Sequence, residues 1–520
     1  MLLDHPARRS FWARPLLGVA LLAILAACGG GGGGADLAGG GGSTGVGGGG
    51  DPTPVGRDFD VQFERGPIPY AVRATLALTE PEPIERVTFT VQTKPGNAAA
   101  DVRVTYARSF LDRTGALDEV NGEVVFTVFG LYHEYDNQVL VDVEFATSAP
   151  LSNTYVVNTL NDPPQDPPDG IDVQSLQAGL DVSYMFMQRF TGPTIVDIDG
   201  EVRWFAPTLA DIVFPRACTP EGIVLGALNS NAIYNVDWLG SVTRNVMSDP
   251  RCTTSHHNIE PGKTGFLNTV AFVDGAIDRP ESVLAEMTQT GTITKLWDFD
   301  QIFSARISGF GEDPSTFVQN GVDWFHMNSA VYDATDDSVI ASSRENFVVK
   351  ADYETGAIRW ILGNPGKLWY TAYPLSLQPL ALTVIGDAPI GQHSLSISAD
   401  GELLTCFNNG LGNTNLPDVG DSQGYSKVSV YRIDETLRTA TEVLSLDFAE
   451  AFYSPICSSA YRTAGGNMLV TFSAPDDNSP PRLFVVNDAG EVLFEAFAAG
   501  DGCAAAYATQ EFELSGLLID

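Results

Sequence analysis

Basic residues are scarce in this sequence of 520 residues. Lys and Arg together number 29, against 65 Asp and Glu, which gives a formal net charge of −36. A surface with that charge repels a phosphate backbone, so nucleic acid is not an expected partner. The acidic residues form no single block, and we interpret them as a solubilising surface rather than a binding site for a cation.

Cysteine pairs with the spacing of a metal site or a redox motif are lacking. The six cysteines form no Cys-x-x-Cys sequence, which argues against a Cys-ligated zinc site and a thiol redox motif. Because an odd number of cysteines follows Cys28, at least one of them does not pair within the chain, and spacing alone assigns no partners. These later cysteines are Cys218, Cys252, Cys406, Cys457 and Cys503.

Only one long apolar run occurs, and it lies near the N-terminus. It extends from Pro15 to Ala27 after a segment with three arginines, and it ends in "LAAC" at Cys28. The run is too short to span a bilayer and is typical of a signal peptide. The ending resembles a bacterial lipobox, which implies a lipoprotein signal peptide over residues 1–27 and lipidation of Cys28.

The residue after Cys28 is Gly29 rather than Asp, and the lipobox resemblance then implies sorting to the outer membrane. We therefore expect an exported protein that is lipid-anchored in the outer membrane or faces the periplasm, and that contacts the membrane only through this anchor. The alternative is an ordinary signal peptide followed by an incidental cysteine.

Composition divides the rest of the chain into four parts. Residues 28–56 are mostly Gly and predict a flexible tether. Residues 57–160 contain short alternating runs such as "RVTFTVQT", which predict a small antiparallel β-sandwich. Residues 161–170, "NDPPQDPPDG", predict a stiff Pro-rich linker. Residues 171–520 remain for a second domain.

A hairpin pattern recurs in this second domain: an apolar strand, a turn with Asp or Asn and usually Gly, and a second strand that often ends in Trp or Phe. Several copies follow a shorter apolar strand such as "DGELLTCF", which we interpret as the inner strand of the same unit. The six copies are "IVDIDGEVRWF" (195–205), "YNVDWLGSVTRNV" (234–246), "LAEMTQTGTITKLWDF" (284–299), "VVKADYETGAIRWILG" (348–363), "VYRIDETLRTATEVLSLDF" (430–448) and "FVVNDAGEVLFEAF" (484–497).

Six such units predict a six-bladed β-propeller over residues 171–520, preceded by the β-sandwich, in an all-β protein. The fifth copy lacks the turn glycine and is the weakest match. A series of hairpins in a second sandwich is the alternative interpretation.

Histidine is also rare, with six in the chain. His5 lies in the predicted leader and His133 in the predicted sandwich. The other four, His256, His257, His326 and His393, fall just before or at the start of a predicted inner strand. Since inner strands line the axis of a propeller, we expect these side chains to converge at the mouth of its channel. Arg344, in "ASSREN", follows the strand after His326 and returns to the same place.

The segment "DWFHMNSAVYDATDDSVIASSRENFVVKADYETGAIRWILG" (323–363) resembles the signature of the bacterial PAPS-independent arylsulfate sulfotransferases, and "SHHNI", "GQHSLSI" and the N-terminal sandwich resemble the same family. The resemblance extends from about residue 57 to residue 520. It implies a six-bladed propeller with an N-terminal β-sandwich, and transfer of a sulfuryl group from a phenolic sulfate ester to a phenol through a sulfated histidine.

The resemblance also implies roles for individual residues. His393 matches the nucleophile, His326 matches the histidine that handles the proton of the phenol, and Arg344 matches the arginine that holds the sulfuryl oxygens. Asn328 is a candidate for an additional substrate contact. Of the adjacent pair, His257 is preferred as the remaining catalytic histidine because it precedes an amide residue, and His256 stays open.

The residue types suit this chemistry. An imidazole is mostly neutral near pH 7 and can attack sulfur, whereas a planar, permanently charged guanidinium matches the peripheral oxygens of the transferred group. A second, protonated histidine helps a phenoxide to leave, and the symmetry of the two half-reactions predicts ping-pong kinetics without metal or cofactor. Trp324, Phe325 and Tyr370 are candidates for the aromatic walls of the site.

Two rival hypotheses remain. The histidines could hold zinc or copper in the channel, although Arg344 would place a positive charge beside the cation. A non-catalytic binding propeller, tethered at the cell surface, is the other rival, because propellers host many functions. The sequence does not give the oligomeric state or the natural donor and acceptor.

Overall fold

The structure is a computed structural model, and it describes residues 57–159, 168–190, 192–412, 414–415 and 422–520. The predicted signal peptide, Cys28, the glycine-rich tether and most of the Pro-rich linker lie outside the described residues. Among the described residues, no helix has both the length and the apolar character needed to cross a membrane.

The N-terminal domain is a sandwich of two β-sheets. Alternation of apolar and polar residues buries one face of each strand, so that Val87, Phe89, Val104 and Val141 meet in the core. One sheet has the order β1-β2-β6-β5 and the other contains β4-β3-β7-β8. The elements are β1 (Phe59–Arg65), β2 (Ala71–Leu78), β3 (Ile84–Val91), β4 (Val102–Ala107), α1 (Arg108–Thr114), β5 (Leu117–Asp118), β6 (Glu123–Phe129), β7 (Asp136–Phe145) and β8 (Leu151–Asn158).

The second domain consists of six mainly antiparallel sheets, the blades of a propeller, and the predicted fold class is confirmed. The domain begins with β9 (Ile171–Leu176), and the first three blades contain β10 (Tyr184–Gln188), β11 (Thr194–Asp197), β12 (Val202–Phe205), β13 (Val213–Thr219), β14 (Gly222–Ala227), β15 (Ala232–Asp237), β16 (Val242–Val246), β17 (Cys252–Pro261), β18 (Phe266–Asp274), β19 (Ile277–Met287) and β20 (Ile293–Asp298).

Helix α2 (Phe299–Gly309) and a 3-10 turn (Pro314–Thr316) connect the third blade to the fourth. The remaining elements are β21 (Met327–Asp333), β22 (Ser338–Ser343), β23 (Phe347–Asp352), β24 (Ile358–Gly363), α3 (Leu368–Thr371), a 3-10 turn (Gln378–Leu380), β25 (Thr383–Ile385), β26 (His393–Ile397), β27 (Leu403–Asn408), β28 (Lys427–Asp434), β29 (Thr439–Leu446), a 3-10 turn (Phe448–Glu450), β30 (Ser459–Arg462), β31 (Met468–Phe472), β32 (Arg482–Val486), β33 (Val492–Ala498), α4 (Gly502–Ala505), β34 (Ala508–Glu511) and β35 (Leu517–Ile519).

Contacts between blades identify the innermost strands. Strands β13, β17, β21, β26, β30 and β34 touch one another in succession around the axis. The shorter apolar strands of the repeat, such as "DGELLTCF", are therefore the second strands of their blades, and the prediction that they are inner strands is wrong. The six repeated hairpins form the third and fourth strands of the blades, counted from the axis.

Five of the six outer hairpins turn through a glycine with positive φ: Gly200, Gly240, Gly291, Gly356 and Gly490. The turn requires a left-handed residue, which glycine adopts without steric cost. In the fifth blade Arg438 occupies this conformation, with φ of 56°. Its guanidinium donates to Arg359 O and Pro379 O at 3.0 Å each. These bonds hold the turn of the copy that lacks glycine.

The ring is closed by a strand far from its partners in sequence. β34 pairs with β10 and supplies the innermost strand of the first blade, and β9 adds a fifth strand to the outer edge of the sixth. β35 then leaves the propeller and pairs in parallel with β4 of the sandwich. The predicted boundaries of 57–160 and 171–520 therefore assign residues 517–519 to the wrong domain. Sandwich and propeller form one compact unit over Arg57–Asp520.

Candidate active site

The innermost strands of blades 3, 4 and 5 are each irregular where a predicted histidine lies. The pairing register shifts between His256 and Ile259, between Met327 and Ser329, and between His393 and Ser396. A β-bulge turns a side chain out of the regular alternation of a strand. The bulges therefore point residues at the axis that a regular ladder would direct into the sheet.

Backbone conformation at these bulges is unusual. His257, His326 and Ser394 have φ of 47°, 49° and 54°. Non-glycine residues in this region cost roughly 1–2 kcal/mol each. Such strain is found mainly at functional sites, where the surrounding structure holds it.

The rings converge as the sequence analysis predicted. Ring centroids of His257 and His326 lie 5.0 Å apart, and those of His257 and His393 lie 6.4 Å apart. Arg344 is placed beside them because its backbone N–H donates to the carbonyl of His326 at 3.2 Å. The ring centroid of His256 lies 6.0 Å from that of His257.

The centre of the cluster is a carboxylate that sequence reasoning missed. Glu281, on β19, accepts from His256 Nδ1 at 3.0 Å through Oε1. Its Oε2 lies 3.1 Å from His257 Nε2 and 3.0 Å from His326 Nδ1. Nothing in the sequence near Glu281 resembles a motif, since the residue sits on a third strand rather than on an innermost one. Only the bulge at its backbone, with φ of 55°, marks it.

The protonation states follow from these contacts. Burial alone would raise the pKa of Glu281, but the facing His326 and His257 outweigh burial and hold that pKa well below its usual range. Burial works to lower the pKa of His326, but Glu281 and Asp323 outweigh both burial and the charge of Arg344, so the pKa is raised. For His257, burial prevails and lowers the pKa.

The ring of His393 is held in one tautomer. Its Nδ1 lies 2.7 Å from Asn409 Oδ1 and 3.1 Å from the carbonyl oxygen of Gly391. Asn409 Nδ2 donates to the carbonyls of Ser454 and Cys457, which assigns Oδ1 as the atom that faces His393. Two acceptors thus require a proton on Nδ1, and the lone pair is on Nε2.

His393 is also kept neutral. Burial, followed by the charges of His257 and Arg344, holds its pKa well below the ordinary value of a histidine. A neutral imidazole with an unprotonated Nε2 is a nucleophile. The structure therefore favours the neutral form of His393 and the protonated form of His326.

Arg344 is positioned by the carboxylate that follows it. Its Nη2 donates to Glu345 Oε1 and to Thr414 Oγ1. Burial would raise the pKa of Glu345, but the Arg344 charge outweighs burial and lowers it, so the carboxylate is ionised. A guanidinium held in this way is a fixed positive charge beside the histidine cluster.

Aromatic side chains are placed differently from the prediction. Trp324 and Phe325 are fully buried in an aromatic core, where Phe325 stacks on Phe299 with centroids 5.0 Å apart, and Tyr370 packs against the same core. The prediction that these residues line the site is wrong, because "DWF" enters the blade interior before the bulge at His326. Tyr507 lines it instead, with its hydroxyl 3.2 Å from His257 Nδ1.

Asn328 supports the loop before His393. Its Nδ2 donates to the carbonyl of Gln392 at 2.6 Å, and Gln392 Nε2 in turn donates to the carbonyl of Ser343 at 2.9 Å. These bonds tie the segments of His326, Arg344 and His393 together. A direct contact of Asn328 with substrate stays a prediction, as does one of His256.

Two groups of residues would suit a divalent cation by composition: His256, His257 and Glu281, and Glu281, Asp323 and His326. Among the described residues, the ligand-type atoms of each group lie within 4.8 Å of one another. In the structure these nitrogens and oxygens face one another at hydrogen-bond distance, so acid and base are paired directly.

A disulfide, which cysteine spacing could not assign, joins Cys457 to Cys503. Cys457 precedes β30 and supplies a carbonyl to Asn409, whereas Cys503 lies four residues before Tyr507. The bond therefore links the support of His393 to the segment that carries Tyr507. Cys252 and Cys406 are buried thiols.

Solved structures with a similar fold share little sequence with this chain. The β-propeller domain of Cps50 (Swd1) from Myceliophteria thermophila has a TM-score of 0.35 and 10% identity, covering 64% of this chain and 86% of that one. A putative TolB from Agrobacterium tumefaciens has a TM-score of 0.34 and 11% identity, covering 65% and 100%. Such scores say nothing about function.

Curated relatives are more informative. The arylsulfate sulfotransferase AssT of Escherichia coli O6:H1 (strain CFT073) is 26% identical over 344 residues, which cover 54% of this chain and 56% of that protein. The arylsulfate sulfotransferase AssT of Lelliottia amnigena is 32% identical over 152 residues, or 26% of this chain and 25% of that one. The match thus spans about half the length of the first relative and a quarter of the second.

Family patterns cover most of the described chain. The pattern of the arylsulfotransferase Ig-like domain matches residues 69–160, which is the sandwich. The pattern of arylsulfotransferase (ASST) matches residues 152–497, which include every histidine and arginine of the site. Because that match exceeds half of the 520 residues, the chain belongs to the arylsulfotransferase (ASST) family.

Proposed function

We propose that the protein is a PAPS-independent arylsulfate sulfotransferase, which moves a sulfuryl group from a phenolic sulfate ester to a phenol through a sulfated His393. The observation that carries the proposal is the opposite environment of two histidines in one cluster. Asn409 Oδ1 accepts from Nδ1 of His393, whose pKa is lowered, whereas Glu281 and Asp323 face Nδ1 of His326, whose pKa is raised.

In the first half-reaction, Nε2 of His393 attacks the sulfur of the ester. The N–S bond forms as the bond from sulfur to the phenolic oxygen breaks, and the electron pair of that bond leaves with the phenol. His326 transfers its proton from Nε2 to this oxygen, since its Nδ1 already faces carboxylates. Arg344 offers fixed donors for the negative sulfuryl oxygens.

The second half-reaction reverses these events. The hydroxyl of an acceptor phenol gives its proton to Nε2 of His326, and the phenol oxygen attacks sulfur. The N–S bond breaks and its electron pair returns to His393. Because donor and acceptor use one site in turn, ping-pong kinetics are expected. The reaction needs no nucleotide, metal or other cofactor, since the transferred group travels on the protein.

The test combines an assay with a direct search for the intermediate. The purified protein is incubated with 4-nitrophenyl sulfate, release of 4-nitrophenol is followed with and without phenol as acceptor, and the intact mass is measured before acceptor is added. We expect phenol-dependent turnover and a mass increase of one SO3 group, with the label on His393. His393→Ala should lose the label and at least about 10³-fold in rate.

Other results would favour a rival. Transfer without any labelled histidine would contradict the covalent route. A stoichiometric divalent metal in the purified protein, together with no sulfate transfer, would favour the metal hypothesis. An unlabelled, inactive and metal-free protein would leave the binding propeller.

We also propose that the enzyme acts outside the cytoplasm, anchored through a lipid on Cys28. The support is the lipobox-like ending of the apolar run and the disulfide between Cys457 and Cys503, because disulfides persist in oxidising compartments. The partners are then small phenolic sulfates and phenols, and the membrane is contacted only through the anchor.

A further inference from the structure

We propose that Glu281 is a positioning residue for sulfuryl transfer: its carboxylate holds the ring of His326 with the transferable proton on Nε2, and fixes His257 between itself and Tyr507. The inference deepens the proposed function and rests on it.

A bulge in the backbone of β19 determines where the Glu281 side chain points. β18 and β19 pair regularly up to Val270 and Val283, and the register then shifts, with Phe272 opposite Arg279. Glu281 lies in the resulting bulge with φ of 55°. A regular strand there would leave the carboxylate on a face of the blade, whereas the bulge turns it to the axis. Its side chain is only 13% exposed.

Burial of a carboxylate is costly unless it is paired. Glu281 is paired with imidazole nitrogens alone: His256 at 3.0 Å, His257 at 3.1 Å and His326 at 3.0 Å. One of these rings must carry a positive charge to compensate the carboxylate. The geometry selects His326, because its Nδ1 also faces Asp323 Oδ2.

Several charged or titratable groups face His326. Glu281 approaches from β19 and Asp323 from the loop before β21, and both favour the imidazolium. Arg344 opposes it from the end of β22, and the rings of His257 and His393 lie on the remaining side. Without Glu281, Asp323 would be the carboxylate left facing His326, opposed by the charge of Arg344, and the pKa of His326 would be lower.

Glu281 also orders the opposite side of the site. His257 Nε2 donates to Oε2, so its Nδ1 is the acceptor for the hydroxyl of Tyr507 at 3.2 Å. The hydrogen bonds from Glu281 through His257 to Tyr507 therefore fix the side-chain hydroxyl of Tyr507. The ring centroid of Tyr507 lies 6.3 Å from that of His393.

The test compares Glu281→Gln with wild type on two donors that differ in the acidity of the leaving phenol. Phenyl sulfate needs its leaving oxygen protonated, whereas 4-nitrophenyl sulfate releases a stable phenolate. Loss of general acid catalysis costs about 10²–10⁴-fold. We expect a fall of about 10²-fold in kcat/KM for phenyl sulfate, and of less than about tenfold for 4-nitrophenyl sulfate.

The pH dependence should change as well. His326 acts as an acid only below its pKa, so the wild-type rate with phenyl sulfate falls as pH rises through that value. Removing the carboxylate lowers the pKa of His326, and the fall should move to lower pH in Glu281→Gln. Glu281→Asp keeps the charge and should restore the wild-type profile in part.

Glu286→Gln is the matched control. Glu286 lies on the same strand and is fully buried, but its oxygens accept from the backbone of Thr264 and the hydroxyl of Tyr353. Its substitution should reduce stability and leave the ratio of the two donor rates and the pH profile at wild-type values.

The outcomes separate the two proposals. Equal losses on both donors, with an unmoved pH profile, would overturn the role of Glu281 while sulfuryl transfer stands. If the wild type transfers no sulfate, an NMR titration of histidine-labelled protein still decides: His326 should titrate at lower pH in Glu281→Gln, and an unchanged midpoint overturns the inference. If Glu281→Gln does not fold, the same measurements on Glu281→Asp decide, since an unaltered donor ratio and midpoint would overturn it.

Discussion

The outer hairpins of the blades and the innermost strands of blades 3 to 5 both contain residues in the left-handed backbone conformation, but the residue types differ. Outer hairpins place a left-handed residue at the turn, and five of six use glycine there. Innermost strands place one at a bulge, and there the residue is His257, His326 or Ser394, beside His393. At a turn only the backbone conformation matters, so glycine can take the position without steric strain. At the site the side chain is needed, so a non-glycine residue takes the position and the backbone strain remains.

The two regions also differ in polarity. Outer strands bury apolar residues such as Trp360 and Phe484 between blades, in a sequence pattern that repeats from blade to blade. At the axis the innermost strands of different blades contribute different polar side chains. The repeated sequence pattern therefore builds the scaffold, whereas the side chains of the site occur where that pattern is interrupted.

Among the changes that test this contrast, the largest effect is expected on the inner side, at Arg344. Arg344→Lys keeps the charge beside Glu345 but loses the fork that can meet two sulfuryl oxygens, so kcat should fall by about 10²-fold with little change in stability. Arg359→Lys is the control, because Arg359 lies on an outer strand of the same blade and pairs with Asp336 and Asp352. Comparable losses in the two variants would contradict the comparison.

An effect on stability is expected where two innermost segments are joined, one before β30 and one before β34. The Cys457–Cys503 bond closes a loop with a sequence separation of 46 residues, and its removal in Cys503→Ser should lower the free energy of unfolding by about 2–5 kcal/mol. Chemical denaturation with and without reductant measures it. Wild type in reductant should match the variant, and a variant as stable as oxidised wild type would show that the bond does not brace the ring.

The smallest effect is expected at an outer turn. Gly490 has φ of 80° and its added Cβ would meet nothing within 4 Å, so Gly490→Ala isolates the backbone cost. The free energy of unfolding should fall by about 1 kcal/mol, with unchanged kcat/KM. Thermal denaturation and the transfer assay are the measurements. A loss of activity here would mean that outer turns and the axis are coupled.

Much of the fold was predictable because it is periodic. The six hairpins and the alternating strands of the sandwich can be read from the order of residue types, and the rare histidines mark segments that meet at the axis. The sequence did not show that β34 completes the first blade or that β35 joins the sandwich, because both strands are short and match no repeat. The second strand of some blades, such as the one in "DGELLTCF", was predicted to be the inner strand, because bulges obscure the alternation of the innermost strands β21 and β26.

The site was predictable only as far as rare residues mark it. His257, His326, His393 and Arg344 stand out by scarcity and by the family resemblance. Glu281 is one of 65 acidic residues, and Asn409 and Tyr507 belong to common types, so composition gives no reason to select them. Their place depends on which strands meet at the axis, which is a tertiary property.

The strand exchange has a consequence for biosynthesis. A chain that has emerged only as far as residue 500 contains every histidine of the site, yet it lacks Tyr507, the inner strand of the first blade and the strand that β4 receives from residues 517–519. Neither domain can be completed while that segment is still in the ribosome. Premature termination or proteolytic trimming near residue 500 should therefore yield an open, protease-sensitive ring, so that catalytic competence reports on full-length synthesis.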